Sequence, residues 1–124
     1  MTVTGDEFRA WALGLPAVLE KETWGHPTFR VREKMFATMA EDGSSASVKA
    51  TLADQAELIA VDPATYAKAH YTGRYGWVTV ALAQADPDEV RPLVVEAWRR
   101  TAPKRVAAQL TQVMPDQEPD DPQP

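Results

Sequence analysis

The amino-acid sequence predicts an α+β fold, a two-layer sandwich in which an antiparallel β-sheet packs against helices. Two observations carry this expectation. Apolar residues recur at helical spacing near both ends of the chain but alternate with polar ones through its centre. The central runs are also joined by connections too short for a parallel crossover, which makes neighbouring strands antiparallel.

The first helix is expected over residues 5–13. Thr4 and Glu7 have the spacing of a capping box, Phe8, Trp11, Ala12 and Leu15 recur on one side, and Gly14 and Pro16 mark the exit. Strands follow at 23–32, 35–40 and 45–50, with turns at Gly25–Pro27, Glu33–Lys34 and Glu41-Asp42-Gly43. Alternation sends Phe29 and Val31 to one face and Thr28, Arg30 and Arg32 to the other; it points Ala46 and Val48 inward and Ser45, Ser47 and Lys49 outward.

Thr51 and Asp54 open a second helix over 52–61, which Asp62-Pro63 ends. Residues 67–76 read as a loop with room for an edge strand, and 77–82 as a short apolar strand. Asp86-Pro87-Asp88-Glu89 marks a third helix start, with an Asp cap, Pro at the first position and acidic groups facing the positive helix end. Its buried stripe is Val90, Leu93, Val94, Ala97 and Trp98, with Arg99 and Arg100 near the negative end. Pro103 interrupts the pattern, and 104–113 resume it as a terminal helical segment.

The 124 residues carry a net charge of -5, but Asp116, Glu118, Asp120 and Asp121 lie among the prolines of the last ten residues. Residues 115–124 are therefore expected as an acidic, Pro-rich, disordered tail, and residues 1–114 as a single domain with a net charge of -1. That near-neutral body lacks the basic excess of a typical nucleic-acid binder, so any such surface must be a local patch. Without cysteine there are no disulfides, thiolate nucleophiles or Cys-ligated zinc, which fits a cytoplasmic protein. No apolar stretch approaches the ~20 residues that cross a bilayer.

Catalytic chemistry finds little to build on. His26 and His70 are the only histidines and lie far apart, so no metal-ligand spacing arises. Ser44, Ser45 and Ser47 sit in a hairpin without a neighbouring base, and Gly73-Arg74-Tyr75-Gly76 matches neither phosphate-loop pattern. Glu20 and Glu22 share a strand face and read as solvated. Trp11, Trp98, Phe29 and Phe36 are core candidates, whereas Trp24 and Trp77 start strands beside glycines and could instead flank a groove. A polar surface is more credible: Thr28, Arg30 and Arg32 with Lys34 and Lys49, and Arg74, Lys104 and Arg105 near other element ends. Glu33, Glu41 and Asp42 interleave with them in sequence.

At these residues the sequence resembles the MmcQ/YjbR-like family. The resemblance rests on Gly14-Leu15-Pro16 with Glu20, the octet Trp24-Gly25-His26-Pro27-Thr28-Phe29-Arg30-Val31, Lys34-Met35-Phe36-Ala37, Gly73-Arg74-Tyr75-Gly76-Trp77-Val78 and Ala102-Pro103-Lys104-Arg105, spanning about residues 5–110. It implies a frataxin/CyaY-like architecture and a DNA-binding role. The positions it singles out are Trp24, His26, Thr28 and Arg30, then Arg74 and Trp77, then Lys104 and Arg105. Iron chemistry is not implied, because the first helix offers only Asp6 and Glu7.

The resulting expectation is a non-enzymatic DNA-binding domain. Arg30, Arg32, Lys34, Arg74, Lys104 and Arg105 would meet phosphates and Trp24 or Trp77 would stack. The alternative is a protein-interaction or small-ligand domain with Trp24, His26, Arg30 and Trp77 around a shallow groove. Neither reading calls for a metal, a cofactor or a membrane, and a monomer is favoured.

Overall fold

The computed structural model describes residues 2–23 and 25–110. In order, its elements are α1 (Gly5–Leu13), β1 (Val18–Thr23), β2 (His26–Val31), β3 (Lys34–Met39), β4 (Ser45–Val48), α2 (Leu52–Val61), β5 (Tyr66–Lys68), β6 (Val78–Ala81), α3 (Pro87–Thr101) and α4 (Lys104–Ala107), with 3-10 turns at Thr72–Tyr75 and Leu82–Gln84. The strands form one six-stranded sheet in the order β1-β2-β3-β4-β6-β5. Every pairing in it is antiparallel. Among the described residues no helix is long and apolar enough to cross a membrane.

The helix starts follow the local chemistry. Thr4 and Glu7 close a reciprocal capping box at 3.0 Å, and the Thr51 hydroxyl accepts from Asp54 N at 3.1 Å. Asp86 accepts from Asp88 N at 2.9 Å, with Pro87 in the first turn. One side of the sheet is sealed by these helices: Phe8, Phe29, Val31, Val48, Val80, Val94 and Trp98 are fully buried there. The Trp98 ring crosses from α3 to the start of β1, where its Nε1 donates to Pro16 O at 3.0 Å. A bulge between Phe29 and Arg30 makes Phe36 the additional residue of β3, so that Phe36 and Ala37 are both buried.

Three expectations change. Residues 18–23 form an edge strand, although their polar alternation gave no apolar signal for one. The β2–β3 reversal sits one residue earlier than expected: Lys34 pairs with Val31, leaving Arg32 and Glu33 as a two-residue turn with φ 51° and 72°. Arg32 therefore leaves the strand face it was assigned to and occupies the hairpin tip. The third change is that Pro27 lies within β2, opposite Glu22, and not in the turn. Trp24, the terminal segment beyond residue 110 and the acidic tail lie outside the described residues.

Gly76 holds φ 106°, and a Cβ there would press on Ala50 O and lie 2.9 Å from Thr51 C. Gly25 also has a positive φ, 86°, but with nothing within 4 Å of its would-be Cβ. Urea denaturation should therefore show Gly76→Ala destabilised by about 3 kcal/mol or more and Gly25→Ala by only about 1 kcal/mol. Equal effects would mean that backbone strain alone, and not the packing against α2, fixes Gly76.

Candidate nucleic-acid interface

With helices on one side only, the other face of the sheet is open, and the register decides what it displays. Lys21, Thr28, Thr38, Ser47, Thr79 and Ala67 stand in one row across all six strands. Flanking positions on the same face include Leu19, Thr23, His26, Arg30, Met35 and Ser45, and Lys49 continues the alternation of β4. Among the described strand residues no carboxylate shares this face. Glu20 and Glu22 point to the helical side with Phe29, and Glu20 is held there by Arg9 at 3.0 Å.

Arg30 is fixed in the sheet surface. Its Nε donates to Thr28 Oγ1 at 3.3 Å, Nη2 to Thr23 Oγ1 at 3.2 Å, and Nη1 to the carbonyl of Glu33 at 3.4 Å. Thr28 in turn donates to Lys21 O at 2.6 Å. A guanidinium has five N–H groups, so donors remain for a ligand, and no described carboxylate neutralises the charge.

Strand direction sorts the remaining candidates by end. At one end of the sheet lie the Arg32-Glu33 tip with Lys34, Lys49 after β4, and Lys68 leading to Arg74 between β5 and β6. Helix α3 also finishes at this end, because Arg100 bonds Asp54 in the first turn of α2 at 3.0 Å. Lys104 and Arg105 follow directly, on the helical side of the sheet. Glu33 is the exposed acid here, whereas Asp54 and Glu96 are paired with Arg100 and Arg99. The opposite end gathers Asp6, Glu7, Glu41, Asp42, Asp62, Asp86, Asp88 and Glu89. Hydrogen bonds from Ser44 hold the Asp42 carboxyl below the usual range.

Three candidates sit differently from expectation. Thr28 is 1% exposed, because Arg30 lies over it and its hydroxyl is spent on Lys21 O. It supports the guanidinium and has no surface of its own. Trp77 is 7% exposed, which leaves almost no ring for stacking. His26 stands at the acidic end, away from Arg74, and Arg30 shares the end of Arg74 but lies on β2, four strands from β5, so the first and second motifs do not meet side by side. Trp24 lies outside the described residues.

Exposed aromatic surface comes instead from Tyr71 and Tyr75, 92% and 64% exposed, in the loop between β5 and β6. Tyr71 has φ 63° and ψ -53°, the centre of a γ-turn closed by Thr72 N donating to His70 O. Arg74 lies over the Tyr75 ring, 4.9 Å from its centroid. Gln55 anchors this loop from α2: its buried Nε2 donates to Gly73 O and to Trp77 O, both at 2.8 Å. Each carbonyl also accepts one backbone N–H. Gln55→Leu should therefore cost about 1–2 kcal/mol in urea denaturation. It should also speed amide exchange at Gly73 and Gly76. Unchanged exchange would show that the loop holds itself without α2.

Among the described residues no group of histidines, aspartates and glutamates is placed to hold a metal ion. No curated protein matches the sequence. In structure the chain is similar to the Deinococcus radiodurans protein DR2400, a DUF419-domain crystal structure. The TM-score is 0.74 at 21% identity, with 88% of each chain covered. A family model described as YjbR matches residues 13–100, from the end of α1 to the last turn of α3 and so across the whole sheet. The chain therefore belongs to the YjbR family.

Proposed function

We propose that this protein is a non-enzymatic DNA-binding domain that grips the phosphate backbone with the basic end of its sheet. The observation that carries the reading is the segregation of charge. Arg30, Arg32, Lys34, Lys49 and Arg74 share one end of the molecule, and the open face beside them carries no described carboxylate. Arg30 is preorganised by Thr23 and Thr28, so little side-chain entropy is lost when it meets a phosphate. Across six strands at about 4.8 Å spacing the sheet is about 24 Å wide, comparable to a duplex. Lys104 and Arg105 extend the positive charge behind the sheet.

The same reading includes a CyaY-like architecture, supported by helices on a single face of an antiparallel sheet. It also includes a monomeric, cytoplasmic protein. The alternative groove around Trp24, His26, Arg30 and Trp77 draws little support from a Trp77 that is 7% exposed.

Backbone binding predicts affinity that falls steeply with salt. Fluorescence anisotropy on a labelled duplex of about 20 base pairs should give a log–log salt slope near -4, with each removed phosphate contact reducing it by about 1. Arg32→Asn, Lys34→Gln and Lys49→Gln should each weaken all sequences alike, while His26→Ala at the far end should leave affinity unchanged. No binding at about 50 mM salt and high micromolar protein, with residues 115–124 present or removed, would sink the proposal.

A further inference from the structure

The cleft between α2 and α3 plays no part in that interface and has the opposite character. It lies against β5, has a volume of about 600 Å³, and is lined by half-buried Leu58 and Leu93 as its floor with the exposed Val61 and Pro92 at its rim. Val61 is 78% exposed, so the rim presents apolar surface that no other part of the described chain covers. Carboxylates stand along both walls. Two are engaged: Asp54 by Arg100 at 3.0 Å, and Glu89, which accepts from the Tyr66 hydroxyl at 3.1 Å. Glu57 and Asp62 have no cationic partner among the described residues. Burial first, and then the bond to Glu89, push the Tyr66 hydroxyl well above its ordinary pKa, so it stays a donor.

The shape and chemistry of the cleft narrow its occupant. From Glu57 to Asp62 the chain of α2 rises about 7.5 Å and Glu89 faces them from α3, so the negative charges not paired with a cation are spread along the cleft. A single divalent ion could not bridge them, and no described group of these residues is placed to hold one. A peptide would bring backbone donors and acceptors. The walls, however, supply acceptors almost alone: Pro92 and the last turn of α2 leave carbonyls without intrahelical partners, and apart from Tyr66 the lining offers no hydroxyl or amide side chain, so a peptide's own carbonyls would lack donors. What fits a wall of acceptors over an alkyl floor is a chain of methylenes bearing only donors.

We propose that this cleft binds an aliphatic polyamine, with methylenes on Leu58, Val61, Pro92 and Leu93 and ammonium groups at Glu57, Asp62 and the free oxygen of Glu89. The site is independent of the DNA reading and is tested without DNA.

Spermidine titrated into the full chain should bind at one saturable site by calorimetry. Amide shifts should be confined to Glu57, Leu58, Val61 and Leu93 in nitrogen-edited NMR. Val61→Lys, made at an exposed position that folding tolerates, places an ammonium over the floor and should weaken binding at least about tenfold. Glu57→Gln with Asp62→Asn should weaken it about fivefold. Any of three results would overturn the proposal: no saturation by about 5 mM spermidine, the same shifts with magnesium chloride at equal ionic strength, or Val61→Lys binding as tightly as the parent. A lysine-rich peptide that binds tighter than spermidine would also overturn it, by making the cleft a protein-docking site.

Discussion

Helices cover only one face of the sheet, so every strand must send its apolar side chains the same way, and the period of two then dictates the rest. Phe29 and Val31 face the helices, which commits Thr28 and Arg30 to the open side. Glu20 shares their face and reaches Arg9 on α1; Lys21 cannot follow it. The mixed charges of β1 are thereby unmixed by geometry alone. Trp98 secures the arrangement, because its fully buried ring and its bond to Pro16 O tie α3 to the start of β1. A sheet slipped by one residue would bury Arg30 and expose Phe29, at a cost no compensating interaction here could offset.

The same antiparallel order distributes charge lengthwise. Chain reversals alternate between two ends, and the helices run along the strands between them. Acidic first turns of α1 and α3 fall at one end, and the basic last turn of α3 falls at the other. A body that sums to nearly neutral is thus two regions of opposite sign. Helix α3 alone spans about 22 Å, between two and three times the ~8 Å screening length at physiological salt. Each end therefore presents its own sign to a partner with little interference from the other. Net charge taken over the whole chain is a poor guide to either surface.

How much of this could be read from the sequence depends on the kind of signal. The caps at Thr4, Thr51 and Asp86 and the stripe of α3 were legible because they are local. So was the α+β architecture, since periods of 3.6 and two are separable over short windows. The edge strand β1 was not legible: one face of it lies under α1 and the other in solvent, so Leu-Glu-Lys-Glu-Thr carries no apolar alternation. Thr28 and Arg30 were placed on the right face. Alternation could not reveal that Arg30 lies over Thr28 and buries it. Core and groove are both compatible with the sequence around Trp77, because its neighbouring glycines fit either. The cleft over β5 escaped altogether, since it is made by two helices distant in sequence.

The turns at the two ends are built differently. Positive φ at the acidic end is carried by glycine, at Gly25 and Gly43. At the basic end it is carried mostly by residues with side chains: Ala17, Arg32, Glu33 and Tyr71. A left-handed conformation costs a non-glycine residue about 1–2 kcal/mol, and a two-residue hairpin turn of this kind favours Asn-Gly. Stability alone would thus remove Arg32 and Glu33 from the tip. Ala17 shows that strain by itself is no evidence of a site, since a methyl group has no chemistry to offer. Arg32 and Tyr71 are different: the strained backbone lifts a guanidinium and a 92% exposed phenol clear of the sheet. Both occur at the end of the sheet along which Arg30, Lys34, Lys49 and Arg74 are spread. The basic end therefore retains side chains that its backbone would be more stable without, as the acidic end, with glycine at its positive-φ turns, does not.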